Sequence, residues 1–187
     1  MIKSTKPYIS SLITYLTVLI MFGVDQWTKY LVTEKLPIRI DFVNKTIAEA
    51  HASYPFLPWL WFTHVVNFGS AFSTFYGRKV LLVIFAGAIS LGIIAYERIS
   101  VSNRTKVLSL SLGFLLAGAF GNLFDRIRLG YVTDFLDLRW KGDNIFAIFN
   151  GADVSINLGI YLLIFYFFFQ EAKLKKQKES DDEDLPL

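Results

Sequence analysis

Apolar residues gather in four runs along the chain, and the polar stretches between them are unequal. The first run covers residues 8–24 and continues through "DQWTKYLV". The second is "VLLVIFAGAISLGIIAY" (Val80–Tyr96) and the third "VLSLSLGFLLAGAFGNLF" (Val107–Phe124). The fourth extends from Ile145 to Phe169. Each is close to the ~20 residues that cross the hydrocarbon core of a bilayer. The pattern predicts an α-helical integral membrane protein with four transmembrane helices and both termini on one side. The first run meets "VDQWTK" rather than a small-residue cleavage site, so it is expected to stay as a helix and not to be removed as a signal peptide. Small residues recur four apart at Gly113, Ala117 and Gly121 and at Ala88 and Gly92, which predicts close helix contacts on the third and second helices.

The intervening segments set the expected orientation. The short loop "ERISVSNRTK" carries Arg98, Arg104 and Lys106, and both terminal segments carry lysines. Basic residues mark the cytoplasmic side, most strongly in short loops, so the termini are expected in the cytoplasm. The long segments on the other face are expected outside. Residues 33–78 hold Pro37, Pro55, Pro58 and the aromatics Trp59, Trp61 and Phe62, which suit a membrane–water interface. Alternation around "FTHVVNFGSAFSTF" predicts strands or hairpins there. The tail "EAKLKKQKESDDEDLPL" (171–187) is basic and then acidic with nothing to bury, and is expected to be solvated and disordered. Its lysines are also suited to anionic lipid. Residues 1–170 therefore read as one membrane domain.

Composition narrows the chemistry. Of 187 residues 53% are hydrophobic and 19% charged, there is no cysteine, and the histidines are His51 and His64 alone. Disulfides, thiolate metal sites and cysteine nucleophiles are excluded, and a metal or serine–histidine site is poorly supplied. The net charge of +3 is small, and its distribution is more useful than its value.

What remains is a set of polar residues at helix ends. Asn150, Asp153 and Asn157 would stack on one face of the fourth helix. Asn122, Asp125 and Arg126 share a face of the third, and Asp134 follows. The topology brings Asp134 and Asp153 to the same membrane surface. Two carboxylates in a partly dry site share one proton, so one can take a proton from water while the other protonates a carbonyl. Asp153 can equally be a helix cap stabilised by the dipole, and Asp134 a loop residue. Asp25 and Lys29 read as an ordinary i,i+4 ion pair of roughly 0.2–0.5 kcal/mol. Lys29 as a general base for Ser70 or Ser73 is a second, less supported possibility. His51 and His64 read as surface or interface residues, Asn67 and Gly69 as turn residues, and Arg126 as an ion-pair partner for Asp125 or another carboxylate. Two non-enzymatic readings also stand: an ion path along the fourth helix, and an assembly protein whose polar residues only bond helices together.

Four motifs in order then narrow the choice: "DQWTK" (Asp25–Lys29), "NFGSAF" (Asn67–Phe72), "GNLFDRIRLGYVTDF" (Gly121–Phe135) and "FNGADVSINLG" (Phe149–Gly159). Together they resemble the lipoprotein signal peptidases, the bacterial type II signal peptidases. The resemblance implies four transmembrane helices, a small extracytoplasmic β-rich cradle and a short periplasmic helix in the inner membrane. It implies an aspartic endopeptidase that removes the signal peptide from diacylglyceryl-modified prolipoproteins just before the lipidated cysteine. Asp134 and Asp153 correspond to the catalytic pair. Asp25, Lys29, Asn67, Gly69, Asn122, Asp125, Arg126 and Asn150 correspond to residues that bind substrate or support the site. No metal, cofactor or nucleic acid is implied; the partners are prolipoproteins and membrane lipids, and a monomer is the default. Gly151, Thr133 and Ser70 depart from the usual pattern, and the stretch between the first two motifs is longer than usual, without loss of a motif polar group.

Overall fold

The computed structural model describes residues 7–41, 46–49, 53–69, 79–99 and 104–183. These residues include four long helices: α1 (Pro7–Lys35), α2 (Lys79–Ile99), α3 (Lys106–Arg128) and α4 (Gly151–Glu183). Each contains a stretch long and apolar enough to span a bilayer. Strands β1 (Arg39–Asp41) and β2 (Thr46–Glu49) form a hairpin. Strands β3 (Tyr54–Leu57), β4 (Leu60–Asn67), β5 (Val132–Trp140) and β6 (Asp143–Asn144) form an antiparallel sheet in that order. This sheet is the expected β-rich cradle. Among the described residues no short helix accompanies it; 70–78 lie outside them, as do His51, Ser70 and Ser73.

The helix ends follow local chemistry. Thr105 caps α3, its side chain accepting from the Leu108 amide, and Gly130 takes φ 90° just beyond the C-cap Leu129. That left-handed position suits glycine and closes the helix. Lys141 and Gly142 both have positive φ between the paired residues Trp140 and Asp143, which makes a two-residue hairpin turn matched to strand twist. The fourth helix starts at Gly151, not at Ile145 as the apolar run suggested. Residues before it are extended: Phe149 accepts from the amides of Phe135 (2.9 Å) and Leu136 (2.7 Å) and donates to Leu136. Asn150, as the cap described below, sets the boundary.

Helix α3 is central. It packs against α1 and α4 and buries Leu108, Leu112, Leu116, Ala117 and Ala119. Its glycines permit the approach. A Cβ on Gly113 would lie 2.6 Å from Thr17 Cβ, and one on Gly121 2.6 Å from Asp25 Oδ2. One on Gly118 would strike the Ala152 carbonyl and Ile156. Among the described residues the small-residue contact expected on α2 is absent: Ala88 is exposed, and nothing stands within 4 Å of a Cβ on Gly92. Helix α2 packs on α3 and buries Ser90 and Glu97 instead. Outward faces of α1, α2 and α4 are apolar and open, including Leu19, Ile84 and Phe168. Such faces suit lipid, which matches them without the cost that water imposes.

Two further expectations change. Arg104, counted with the loop cations, is fully buried and pairs with Glu97 at 2.7 Å, while Tyr15 donates to the same carboxylate at 3.0 Å. The loop therefore presents fewer free positive charges than its sequence suggests. Of the tail 171–187 expected to be disordered, the described part continues α4 as helix to Glu183, and 184–187 lie outside the described residues. Ala, Leu, Lys, Gln and Glu are good helix formers, so the turns need no tertiary partner to favour this state.

Gly118→Ala is expected to destabilise the bundle by about 1–3 kcal/mol, because the new methyl overpacks a backbone carbonyl. Gly92→Ala is expected to be neutral within about 0.5 kcal/mol. Thermal unfolding of the two purified variants checks both.

Candidate active site

The site begins at the cap of α4. The Asn150 side chain accepts from the Asp153 amide (3.0 Å), and Asp153 Oδ2 accepts from the Asn150 amide (3.2 Å). This reciprocal pair is a capping box built from Asn and Asp. The capping reading of Asp153 is therefore realised, and it is compatible with a second task. Asp153 Oδ1 accepts from the Asn122 side chain at 2.8 Å and faces the same cleft as Asp134. Asn150 is a cap outside the helix, so it does not stack on one helical face with Asp153 and Asn157. Asn157 is exposed and donates to the Asp153 carbonyl.

Asparagines bring the two aspartates together. Fully buried Asn150 donates to Asp134 Oδ1 at 2.6 Å and to Asn122 Oδ1 at 3.1 Å. Asn67, at the end of β4, donates to Asp134 Oδ2 at 3.0 Å, and its own oxygen accepts from the Gly69 amide. Asn67 and Gly69 thus do form a turn, and the turn aims Asn67 at Asp134. Arg126 bonds the carbonyls of Asn122 and Gly69, each at 3.1 Å, rather than pairing with Asp125. It ties the cradle loop to α3.

Behind this layer lies a buried charge cluster. Lys29 Nζ stands 2.8 Å from Asp25 and 3.0 Å from Asp125, and 3.4 Å from Asn122 Oδ1. All three charged side chains are almost wholly buried. Gln26, passed over in the sequence, joins both carboxylates at 3.1 Å each; its place inside "DQWTK" was the available signal. Asp25 also accepts from the Ala152 amide at 2.7 Å, and Asp125 from the Thr133 amide at 3.3 Å. The i,i+4 surface value does not apply to a pair removed from water. Lys29's donors are spent on this network, which leaves it poorly disposed to act as a base.

Two other features were not legible. His64 is buried, not at the surface, and its Nδ1 lies 2.7 Å from the Leu36 carbonyl. Burial pushes its imidazole below the usual value, so it stays neutral with the hydrogen on Nδ1. On the cradle, buried Asp137 binds Arg139 at 2.6 Å and accepts from Thr63 and Asn144; the Arg139 guanidinium lies 4.3 Å from the Trp61 ring. Trp59 is exposed, whereas Phe62 packs beside Phe135.

The cleft has a volume of about 1020 Å3. Asp134, Asp153, Asn67, Asn122 and Arg126 stand at one end, and Leu82, Phe85, Ile89, Ile156 and Ile160 line its walls. Burial, reinforced by the nearby charge of Asp153, raises the Asp134 carboxyl to about 7. The amide donors of Asn67 and Asn150 and the charge of Lys29 only partly oppose this. Below about pH 7 Asp134 therefore keeps its proton beside the Asp153 side chain, the arrangement needed for paired acid–base work. Along α4 beyond Asn157 the sequence is "LGIYLLIFYFFF", so this helix offers no polar file to continue the site as an ion path.

Lys29→Met is expected to cost about 3–5 kcal/mol, because it strands two buried carboxylates; a thermal melt reads this. The raised Asp134 value sets a second outcome. Its ordinary unfolded value is about 3.9, so the fold binds the extra proton between that pH and about 7. Stability from this group is full below the window and is lost as pH rises through it. Asp134→Asn should remove that loss, so its melting temperature relative to the parent should be higher at pH 8 than at pH 5.

Known proteins share this architecture. The profile of the family described as signal peptidase (SPase) II matches residues 17–169. A lipoprotein signal peptidase of Gloeothece citriformis is 39% identical over 80% of this chain and 85% of its own length. One from Halothermothrix orenii is 38% identical over 80% and 91%. A bacterial membrane enzyme solved by the in meso method superposes with a TM-score of 0.70 at 25% identity, covering 86% of this chain and 90% of that one. A second such structure gives 0.64 at 27% identity over 89% and 97%. The four ordered motifs, the four-helix fold and these matches agree: the chain belongs to the signal peptidase II family.

Proposed function

We propose that this chain is an aspartic endopeptidase that removes signal peptides from diacylglyceryl-modified prolipoproteins, cutting before the lipidated cysteine. The observation that carries the reading is the pairing of Asp134, protonated to about pH 7, with Asp153 at the head of an apolar-walled cleft. Ionised Asp153 takes a proton from water as the water oxygen bonds to the scissile carbonyl carbon. Asp134 gives its proton to the carbonyl oxygen. The tetrahedral intermediate collapses as Asp134 regains a proton from one of the intermediate's hydroxyls and Asp153 protonates the departing cysteine nitrogen. No covalent enzyme intermediate forms, and each carboxyl returns to its starting state. Asn67, Asn122 and Asn150 hold the two carboxyls in register, and Arg126 secures the loop beside them.

The membrane setting suits such a substrate. Its acyl chains remain in lipid while the peptide enters a site built at the ends of α3 and α4. The chain is read as a monomer with cytoplasmic termini and the cradle outside. The loop cations Arg98 and Lys106 and the terminal lysines support that orientation, although Arg104 is neutralised within the bundle.

Purified chain should cleave a diacylglyceryl-modified prolipoprotein. Asp134→Asn and Asp153→Asn should each lower the rate at least about 10²-fold while remaining folded. The parent rate should fall as pH rises above about 7, where Asp134 loses its proton. Activity retained in both variants would refute the dyad. The orientation has its own test, helped by the absence of native cysteine. Lys141→Cys, in the β5–β6 turn, should react with an impermeant maleimide added outside intact cells, and protection there would reverse the assigned orientation.

A further inference from the structure

A second cavity of about 500 Å3 lies between the end of α1 and the underside of the cradle. Its walls include Leu31, Val32, Tyr54, Phe62 and Phe135, with Lys35 at the helix end. It lies apart from the cleft. Successive strand residues point to opposite faces, and Asp134 lines the cleft while Phe135 lines this cavity. The volume falls in the range of small-ligand pockets, roughly 300–1,000 Å3.

We infer that this cavity seats one acyl chain of an anionic phospholipid, with the lipid phosphate against Lys35. The walls give water little to bond. The Thr28 hydroxyl, also in the lining, is already 2.9 Å from both the Val24 and the Asp25 carbonyls. Water in such a space forfeits hydrogen bonds, whereas an apolar chain forfeits none. The position supplies the occupant. Lys35 is the last residue of a membrane-spanning helix, so the cavity stands where acyl chains meet headgroups. Exposed Trp27, Tyr30 and Tyr54 are the residue types that settle at this level. The Lys35 ammonium adds a preference for negative charge. The seated chain backs Phe135 and Phe62, whose rings lie 6.2 Å apart, and so props the strand that carries Asp134 from the face away from the cleft.

The test uses the full chain in nanodiscs doped with phosphatidylglycerol bearing an acyl-chain diazirine, and separately with the matching phosphatidylcholine. Photo-adducts are mapped by mass spectrometry. Adducts are expected on Phe62 and Phe135; the latter is only 3% exposed and beyond the reach of lipid merely surrounding the bundle. The anionic probe should label these sites about fivefold more than the zwitterionic one, and Lys35→Gln should erase that ratio. Leu31→Trp should fill the cavity and abolish these adducts while leaving those on outward-facing Phe168. If Leu31→Trp does not fold, the parent and Lys35→Gln comparison decides alone. Adducts confined to outward positions such as Leu19 and Phe168, or equal labelling by both lipids, would overturn the assignment. Displacement of the Phe62 and Phe135 adducts by a signal peptide would give the cavity to the peptide instead.

Discussion

The buried ammonium of Lys29 holds the architecture together. It sits between Asp25, on its own helix, and Asp125, on α3. Taking three charges out of water is expensive unless each is closely paired and its remaining lone pairs are filled. Here they are filled by groups that belong to the rest of the fold. Asp25 receives the Ala152 amide of α4, Asp125 receives the Thr133 amide of β5, and Gln26 links the two carboxylates. One cluster therefore joins α1, α3, α4 and the strand that carries Asp134. Gly121 permits this, since a side chain there would collide with Asp25.

The second layer, toward the cleft, uses neutral donors. Three asparagines, on β4, on α3 and before α4, donate to two carboxylates. Amides suit this purpose. They fix orientation without supplying a full positive charge that would hold both acids ionised, and so leave burial free to raise Asp134. The positive charge of the site is instead kept one layer back, on Lys29, or spent on backbone carbonyls, as with Arg126. Asp153 combines helix capping and a place in the cleft because its two oxygens are divided between the Asn150 amide and Asn122.

The periphery is built for a different solvent. Helix α2 leans chiefly on α3, and its neighbours on the far side of the cleft stand on α4. Apolar faces that would be a liability in water suit lipid, and the cradle closes one end with a sheet whose own polar cluster, Asp137 with Arg139, Thr63 and Asn144, is internally satisfied.

Much was legible from the order of residues alone. Apolar runs near twenty residues long determine four spans, because a helix of that length crosses lipid with its backbone bonded within the one segment. The same order places Asp134 and Asp153 at one end of the bundle. Only the tertiary structure could decide what each polar group meets. A pair four apart on α1 looked like a surface contact, and became a buried hub once Asp125 arrived from ninety-odd residues away. Asn150 read as a helical residue until Phe149 joined β5 and left it as a cap. His64 and Arg104 looked exposed because sequence reports polarity, not what folds over it. The proton on Asp134 is the extreme case: it depends on burial and on Asp153, and both come from distant segments meeting in space.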